Sequence, residues 1–197
     1  MAGSLAAIGY AVNVRHVVKS PHAEKSLAPW IIWSLVGALL LKSYLTVGGS
    51  SGETSDSGWV LLVYALGPPI VLGTLVVYGG VRHASFSLLD KLFLAVSLAS
   101  GVYLWRFDDG LVPLHVNAAV DVLGGVLLGF HVCRSPYSES LAAWSLFGAA
   151  SALNLLAVQR WSYSHAVYPV VLAAMTTALA VVIAVRRRVS PGITSLR

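Results

Sequence analysis

Charge is scarce in this chain of 197 residues: Asp, Glu, Lys and Arg make up 11% of it and hydrophobic residues 57%. A soluble domain carries about 25% charged residues because its surface faces water, so the shortage excludes an ordinary water-exposed fold. Cysteine is nearly missing as well. Cys133 stands alone, which excludes an internal disulfide and leaves no Cys-rich metal site or redox motif; its plain role is a small apolar filler near a helix end. The N-terminus lacks the basic region of a secretory signal, and "SLAAIGYAVNV" runs into Arg15 without a small-residue cleavage site, so it is expected to remain as a membrane segment. No Ser/His/Asp arrangement, paired catalytic acids or phosphate-binding glycine loop stands in a supporting context, and the expectation is that the protein is not an enzyme. The histidines are scattered without metal-ligand spacing in one helix, so neither a metal nor a cofactor is expected.

What the chain does have is long apolar runs. Uncharged stretches from Ser57 to Val81, Ser140 to Gln159 and Trp161 to Val185 reach the roughly 20 apolar residues that cross a bilayer as a helix. Reading apolar runs against polar breaks predicts an all-α integral membrane protein with seven spans: Gly3 to Lys19, Leu27 to Val47, Gly58 to Gly80, Phe86 to Arg106, Leu111 to Cys133, Ser140 to Gln159 and Ser164 to Val185. Arg15, Asp90 and Lys91 fit this count if their side chains snorkel toward one membrane face.

Cytoplasmic loops accumulate Lys and Arg, which sets the orientation. With the N-terminus outside, ten basic residues, among them Lys19, Arg82, Arg134 and Arg186 to Arg188, fall inside and only Lys42, Arg106 and Arg160 fall outside. The acids of "GGSSGETSDSGW" (Glu53, Asp56) and of "FDDG" (Asp108, Asp109) then face outward. The net charge of +5 belongs to these flanking residues, and no nucleic-acid partner is expected. The location expected is the plasma (cytoplasmic) membrane of a prokaryotic cell.

One stretch occurs twice. "KSPHAEKSLAPW" at Lys19 to Trp30 returns as "RSPYSESLAAW" at Arg134 to Trp144, with one gap opposite Lys25. Each copy lies where one span ends inside and the next begins. Pro21 and Pro136 cannot continue the preceding helix without losing a hydrogen bond, Ser26 and Ser140 suit the N-cap of the next, and Trp30 and Trp144 fall in its first turns at interfacial depth. The repetition divides the chain into a three-helix unit (1–80), a linker helix (81–107), a second three-helix unit (108–186) and a basic cytoplasmic tail (187–197). An odd linker gives both units the same orientation, the parallel-repeat plan that places a solute site between halves near the midplane.

The 3+1+3 plan, with "SLAPW" entering the second span and "SLAAW" entering the sixth, resembles the PQ-loop superfamily of SWEET-type sugar transporters. It also resembles small uncharacterised prokaryotic membrane proteins with a stretch like Pro21, His22, Ser26, Trp30 and Trp33 between the first two spans. The Pro-Gln pair that names the superfamily is absent. The resemblance implies seven helices in two triple-helix units and alternating access to a small solute. Nicotinamide riboside transporters share a similar plan.

Asp121 is the acid in the middle of a span, and intramembrane acids face the bundle interior or a wet cavity. Asn117 precedes it by one turn and Gly124 and Gly125 follow by one, so they share a helical face fit for a cavity wall or close helix contact. Pro68 and Pro69 interrupt the third span, where missing amide donors kink or open a helix, and such interruptions point to transporter sites. Tyr64 and Tyr168 offer hydroxyls and ring faces to a solute, or act as packing residues or interfacial anchors. Asn13 and Asn154 line the path or bond between helices.

The function expected is a small-solute transporter or facilitator, proton-linked through Asp121 in one version. The alternatives are a non-transporting scaffold, receptor or complex subunit of the same fold, and a vitamin-precursor transporter of the nicotinamide riboside type. A retinal photoreceptor is excluded because Ser164 to Val185 contains no lysine for a Schiff base. The partners expected are the lipid bilayer and an unidentified small polar solute, with homo-oligomerisation left open.

Overall fold

The computed structural model describes residues 1–20, 26–48, 57–78, 86–106, 111–158, 161 and 163–190. Every regular element among them is an α-helix: α1 (Ala2–Lys19), α2 (Ala28–Gly48), α3 (Ser57–Tyr78), α4 (Leu88–Arg106), α5 (Leu111–Arg134), α6 (Leu141–Leu156) and α7 (Tyr163–Val189). Each begins and ends within a few residues of an expected span. The seventh runs furthest beyond expectation, through Arg186, Arg187 and Arg188, of which Arg186 and Arg187 donate to main-chain carbonyls. Three stretches, Leu88–Arg106, His115–Arg134 and Ala166–Val189, are long and apolar enough to cross a membrane.

Local chemistry sets the starts. Ser140 caps α6, its Oγ accepting from the Ala143 amide at 3.2 Å. Ahead of α4, Ser87 and Asp90 form a reciprocal capping box: the Ser87 amide and hydroxyl donate to Asp90 Oδ2 at 2.8 and 2.7 Å, and the Asp90 amide donates back to Ser87 Oγ at 3.1 Å. Asp90 Oδ1 lies 3.1 Å from His131 Nε2 near the end of α5. The expectation that Asp90 snorkels is therefore corrected: it is buried, because the cap and His131 satisfy it inside the protein.

Packing follows a closed ring. Among the described residues α1 packs on α3, α3 on α2, α2 on α5, α5 on α7, α7 on α6 and α6 on α1, while α4 touches α2 and α5 from outside. The ring's set of packed pairs is unchanged when α1, α2 and α3 are exchanged with α5, α6 and α7. Residue detail follows the same exchange. Ten residues before Lys19 and Arg134 stand Gly9 and Gly124, and three after Trp30 and Trp144 stand Trp33 and Phe147. Gly9 takes the Phe147 ring and Gly124 takes the Trp33 ring; a methyl group on either glycine would lie 2.7 Å from that ring.

Apolar side chains fill most of the described interior, but polar ones are buried among them and large apolar ones are left outside. Asn13, Ser97, Asn117, Asp121, Ser151 and Thr176 are buried, while Leu66, Ile70, Leu92, Leu98, Val102 and Val181 are exposed. Exposed apolar side chains around a few buried polar groups are compatible with a bilayer as solvent, where intramembrane polar groups turn inward.

At the end of the bundle where α1, α5 and α7 finish, the loop between α5 and α6 is clamped. Arg187 donates through Nε to the Pro136 carbonyl at 3.1 Å and through Nη2 to the Glu139 carbonyl at 2.6 Å, and its guanidinium stacks on the Tyr137 ring. Arg186 donates to the Cys133 carbonyl at 2.5 Å, and His16 Nε2 lies 3.3 Å from the Ser138 carbonyl. Pro136 sits in this loop, directly after α5, as a helix terminator should. Pro21, with the rest of 21–25, lies outside the described residues, as do Glu53, Asp56, Asp108 and Asp109.

Trp30 and Trp144 fall in the first turns of α2 and α6 but are not membrane-interface anchors. Both are buried. Trp144 Nε1 donates to the buried Glu139 carboxylate at 3.2 Å, a partner that draws the indole inward.

Candidate functional site: a cavity on the axis of the ring

A cavity of about 50 Å³ lies inside the six-helix ring, and every ring helix contributes to its wall: Tyr10 from α1, Trp33 from α2, Tyr64 from α3, Asp121 from α5, Trp144 from α6 and Tyr168 from α7. Such a volume holds about one to three waters. Phe147, Trp30 and Thr176 complete much of the lining.

Asp121 is the acid of this wall, and no described Lys, Arg or His lines it. The carboxylate accepts from Tyr168 Oη at Oδ2, 3.0 Å away, and its backbone carbonyl accepts from Trp33 Nε1 at 3.2 Å. Trp33 can reach that carbonyl because Gly124 leaves room for the indole. Tyr64 Oη lies 3.3 Å from Ser151 Oγ on α6. Around these polar groups the rings interlock. Tyr10 packs on Phe147 at 4.7 Å and edge-on to Tyr64 at 6.4 Å, and Trp33 packs between Trp30 and Trp144 at 5.2 and 5.6 Å.

Pro68 faces the cavity, whereas Pro69 is exposed on the other side of α3. Of the expected kink or opening, the span is not opened: the helix continues through both prolines. Prolines 68 and 69 cannot donate to the carbonyls four residues back, those of Tyr64 and Ala65. At that place α2 lies close: a methyl group on Gly37 would sit 3.1 Å from each of these two carbonyl oxygens and 3.0 Å from Ala65 Cα. Gly37 thus lets α2 close against the part of α3 that the prolines leave short of donors, a close backbone approach that small residues permit.

Of the residues singled out in the sequence, the structure brings together Asp121, Tyr64, Tyr168 and Pro68. Asn117 and Asn13 are buried but stand outside the wall, and among the described residues Asn117 Oδ1 and Asn13 Nδ2 have no hydrogen-bond partner. Asn154 is half-buried and also outside it. Tyr10, Trp33, Trp144, Phe147 and Ser151 were not singled out as pathway residues. Extending the repeat three residues past its tryptophans would have paired Trp33 with Phe147; for Tyr10 the sequence holds no comparable signal.

No protein-family model, curated protein or solved structure matches this chain.

Proposed function

We propose that the protein is a small-solute membrane transporter or facilitator, with seven spans, N-terminus outside and C-terminus cytoplasmic, in which α1 to α3 and α5 to α7 form two parallel repeat units and α4 links them. The observation that carries this reading is the cavity on the axis of the closed ring, walled by all six helices and holding the buried Asp121 carboxylate. The exchange of packed pairs and the matching contacts of Gly9 and Gly124 support an internal duplication, as the SWEET-like plan requires. Rocking of the two units about this axis exposes the cavity alternately to either side. At about 50 Å³ the cavity is smaller than a sugar, and a solute of that size enters only when the units part.

Uptake into proteoliposomes across a panel of sugars, vitamins, amino acids and small ions, with Asp121→Asn alongside, tests the reading. Saturable uptake of one class supports it, and flat uptake for every solute rejects it. Proton linkage is a separate arm: if Asp121→Asn inserts and transports with an unchanged pH profile, Asp121 does not couple protons.

A scaffold role is the second reading, favoured by the way Tyr168 bonds to Asp121 and Tyr64 contacts Ser151. Under it, the polar groups lock helices together and no solute protects the cavity from chemical or spectroscopic probes.

A further inference from the structure

Among the described residues the cavity's lining carries one acidic side chain and no basic one. Its acidic wall group is the Asp121 carboxylate, and the Tyr10, Trp30, Trp33, Tyr64, Trp144, Phe147 and Tyr168 rings line it beside aliphatic side chains. Aromatic rings present negative faces, and a cation held against several of them is attracted to each; aromatic cages recognise ammonium ligands in this way. Burial strengthens that attraction because little water screens it. The same wall disfavours anions, which meet the carboxylate without a compensating cation.

Size narrows the class further. An apolar cavity of roughly 150 Å³ accepts benzene, so a space of about 50 Å³ takes a ligand of about two or three non-hydrogen atoms without parting the helices. A sugar or a nucleoside does not fit within it. We infer that the axial cavity is a site for a small organic ammonium ion of the methylammonium kind, seated among the Tyr10, Trp33, Tyr64, Trp144 and Tyr168 rings with Asp121 as its counter-ion. Because it names the ligand of the same cavity, this inference rests on the reading of that cavity as a solute site.

Tyr168 has a defined part. Its hydroxyl, 3.0 Å from Asp121 Oδ2, orients the carboxylate from one side, and the cation approaches the remaining acceptor sites of the acid. Trp33 holds the same residue through its main-chain carbonyl, so the counter-ion is braced at both side chain and backbone.

The test uses the full chain in lipid nanodiscs at constant ionic strength, reading tryptophan fluorescence, since Trp30, Trp33 and Trp144 line the site. Methylammonium chloride is titrated against sodium chloride, methanol, sodium formate and glucose. A saturable change with methylammonium alone is expected, weakened about tenfold or more in Asp121→Asn, since a charge-assisted contact commonly exceeds the 1.4 kcal/mol that equals a factor of ten. Tyr168→Phe, which keeps the ring and the carboxylate, serves if Asp121→Asn does not fold, and is expected to weaken binding severalfold. Saturable binding of methanol, formate or glucose in place of methylammonium overturns the cation assignment and leaves the solute site standing. Equal response to sodium and methylammonium also overturns it, since an aromatic cage favours the weakly hydrated organic cation. Silence toward every ligand, together with flat proteoliposome uptake, overturns both the assignment and the solute site beneath it.

Discussion

Trp30 and Trp144 meet across the interior of the bundle, their ring centroids 6.4 Å apart and their planes inclined by 45°, although α2 and α6 do not pack on each other among the described residues. They are the closing residues of the two copies of the repeated stretch. Large rings can span a gap that backbones leave open, so the two copies of the stretch bring two indoles together at the cavity wall.

Trp144→Phe is expected to cost about 2 kcal/mol, because it removes the indole N–H from a buried carboxylate and hydrogen bonds to charged groups contribute about 1.5–3 kcal/mol. Trp30→Phe, which leaves the Trp144 contact with Glu139 intact, should cost less. Thermal unfolding of both variants in the same detergent ranks them, and equal losses would show that ring packing alone matters.

Gly37→Ala should destabilise the protein by about 1–3 kcal/mol, since the added methyl meets main-chain atoms of Tyr64 and Ala65 that cannot rotate away. Gly73→Ala is its control on the same helix pair: nothing lies within 4 Å of the new methyl, and losing a helical glycine gains up to about 1 kcal/mol. Opposite shifts in unfolding temperature are the expected result. A harmless Gly37→Ala would mean that α2 and α3 are not held that closely.

Arg187→Ala should free the loop between α5 and α6, since two carbonyls, those of Pro136 and Glu139, lose their donor. Arg187→Lys is expected to restore only part of the loss, because an ammonium is a point charge and cannot reproduce the planar fork. Amide hydrogen exchange of residues 134–140 reads this directly, with faster exchange in both variants and the larger effect in the alanine one.

Tyr168→Phe should fold normally, the ring being retained, yet lower solute uptake about tenfold through loss of one hydrogen bond to the carboxylate. Unchanged uptake with an unchanged unfolding temperature would remove Tyr168 from the site.

Helix positions were legible in the sequence to within a few residues because each apolar run ends at residues with their own chemistry: a proline that cannot donate, a serine that caps, an arginine that seeks carbonyls. Asp121 was legible for a related reason, since a carboxylate amid Val, Leu and Ala must find a polar partner. Its partner was not. Tyr168 lies 47 residues away, and nothing in the linear order says that α5 and α7 are neighbours. Asp90 shows the converse. As a charge near a helix start it reads as a snorkelling residue, and only the approach of His131 from α5 reveals why it is buried.

The sequence alone determined that this chain is helical, where its helices lie and that one stretch occurs twice, because length, hydropathy and capping are local properties. Only the tertiary structure decided which helices touch, that six of them close into a ring, and that Tyr10, Trp33 and Trp144 join Asp121 around its axis. The physical reason is that these helices are apolar on nearly every side, so no stripe marks a partner-facing surface. Their neighbours are chosen by the fit of Gly9 to Phe147, of Gly124 to Trp33 and of Gly37 to the Tyr64 and Ala65 carbonyls, contacts that exist only once distant segments have come together.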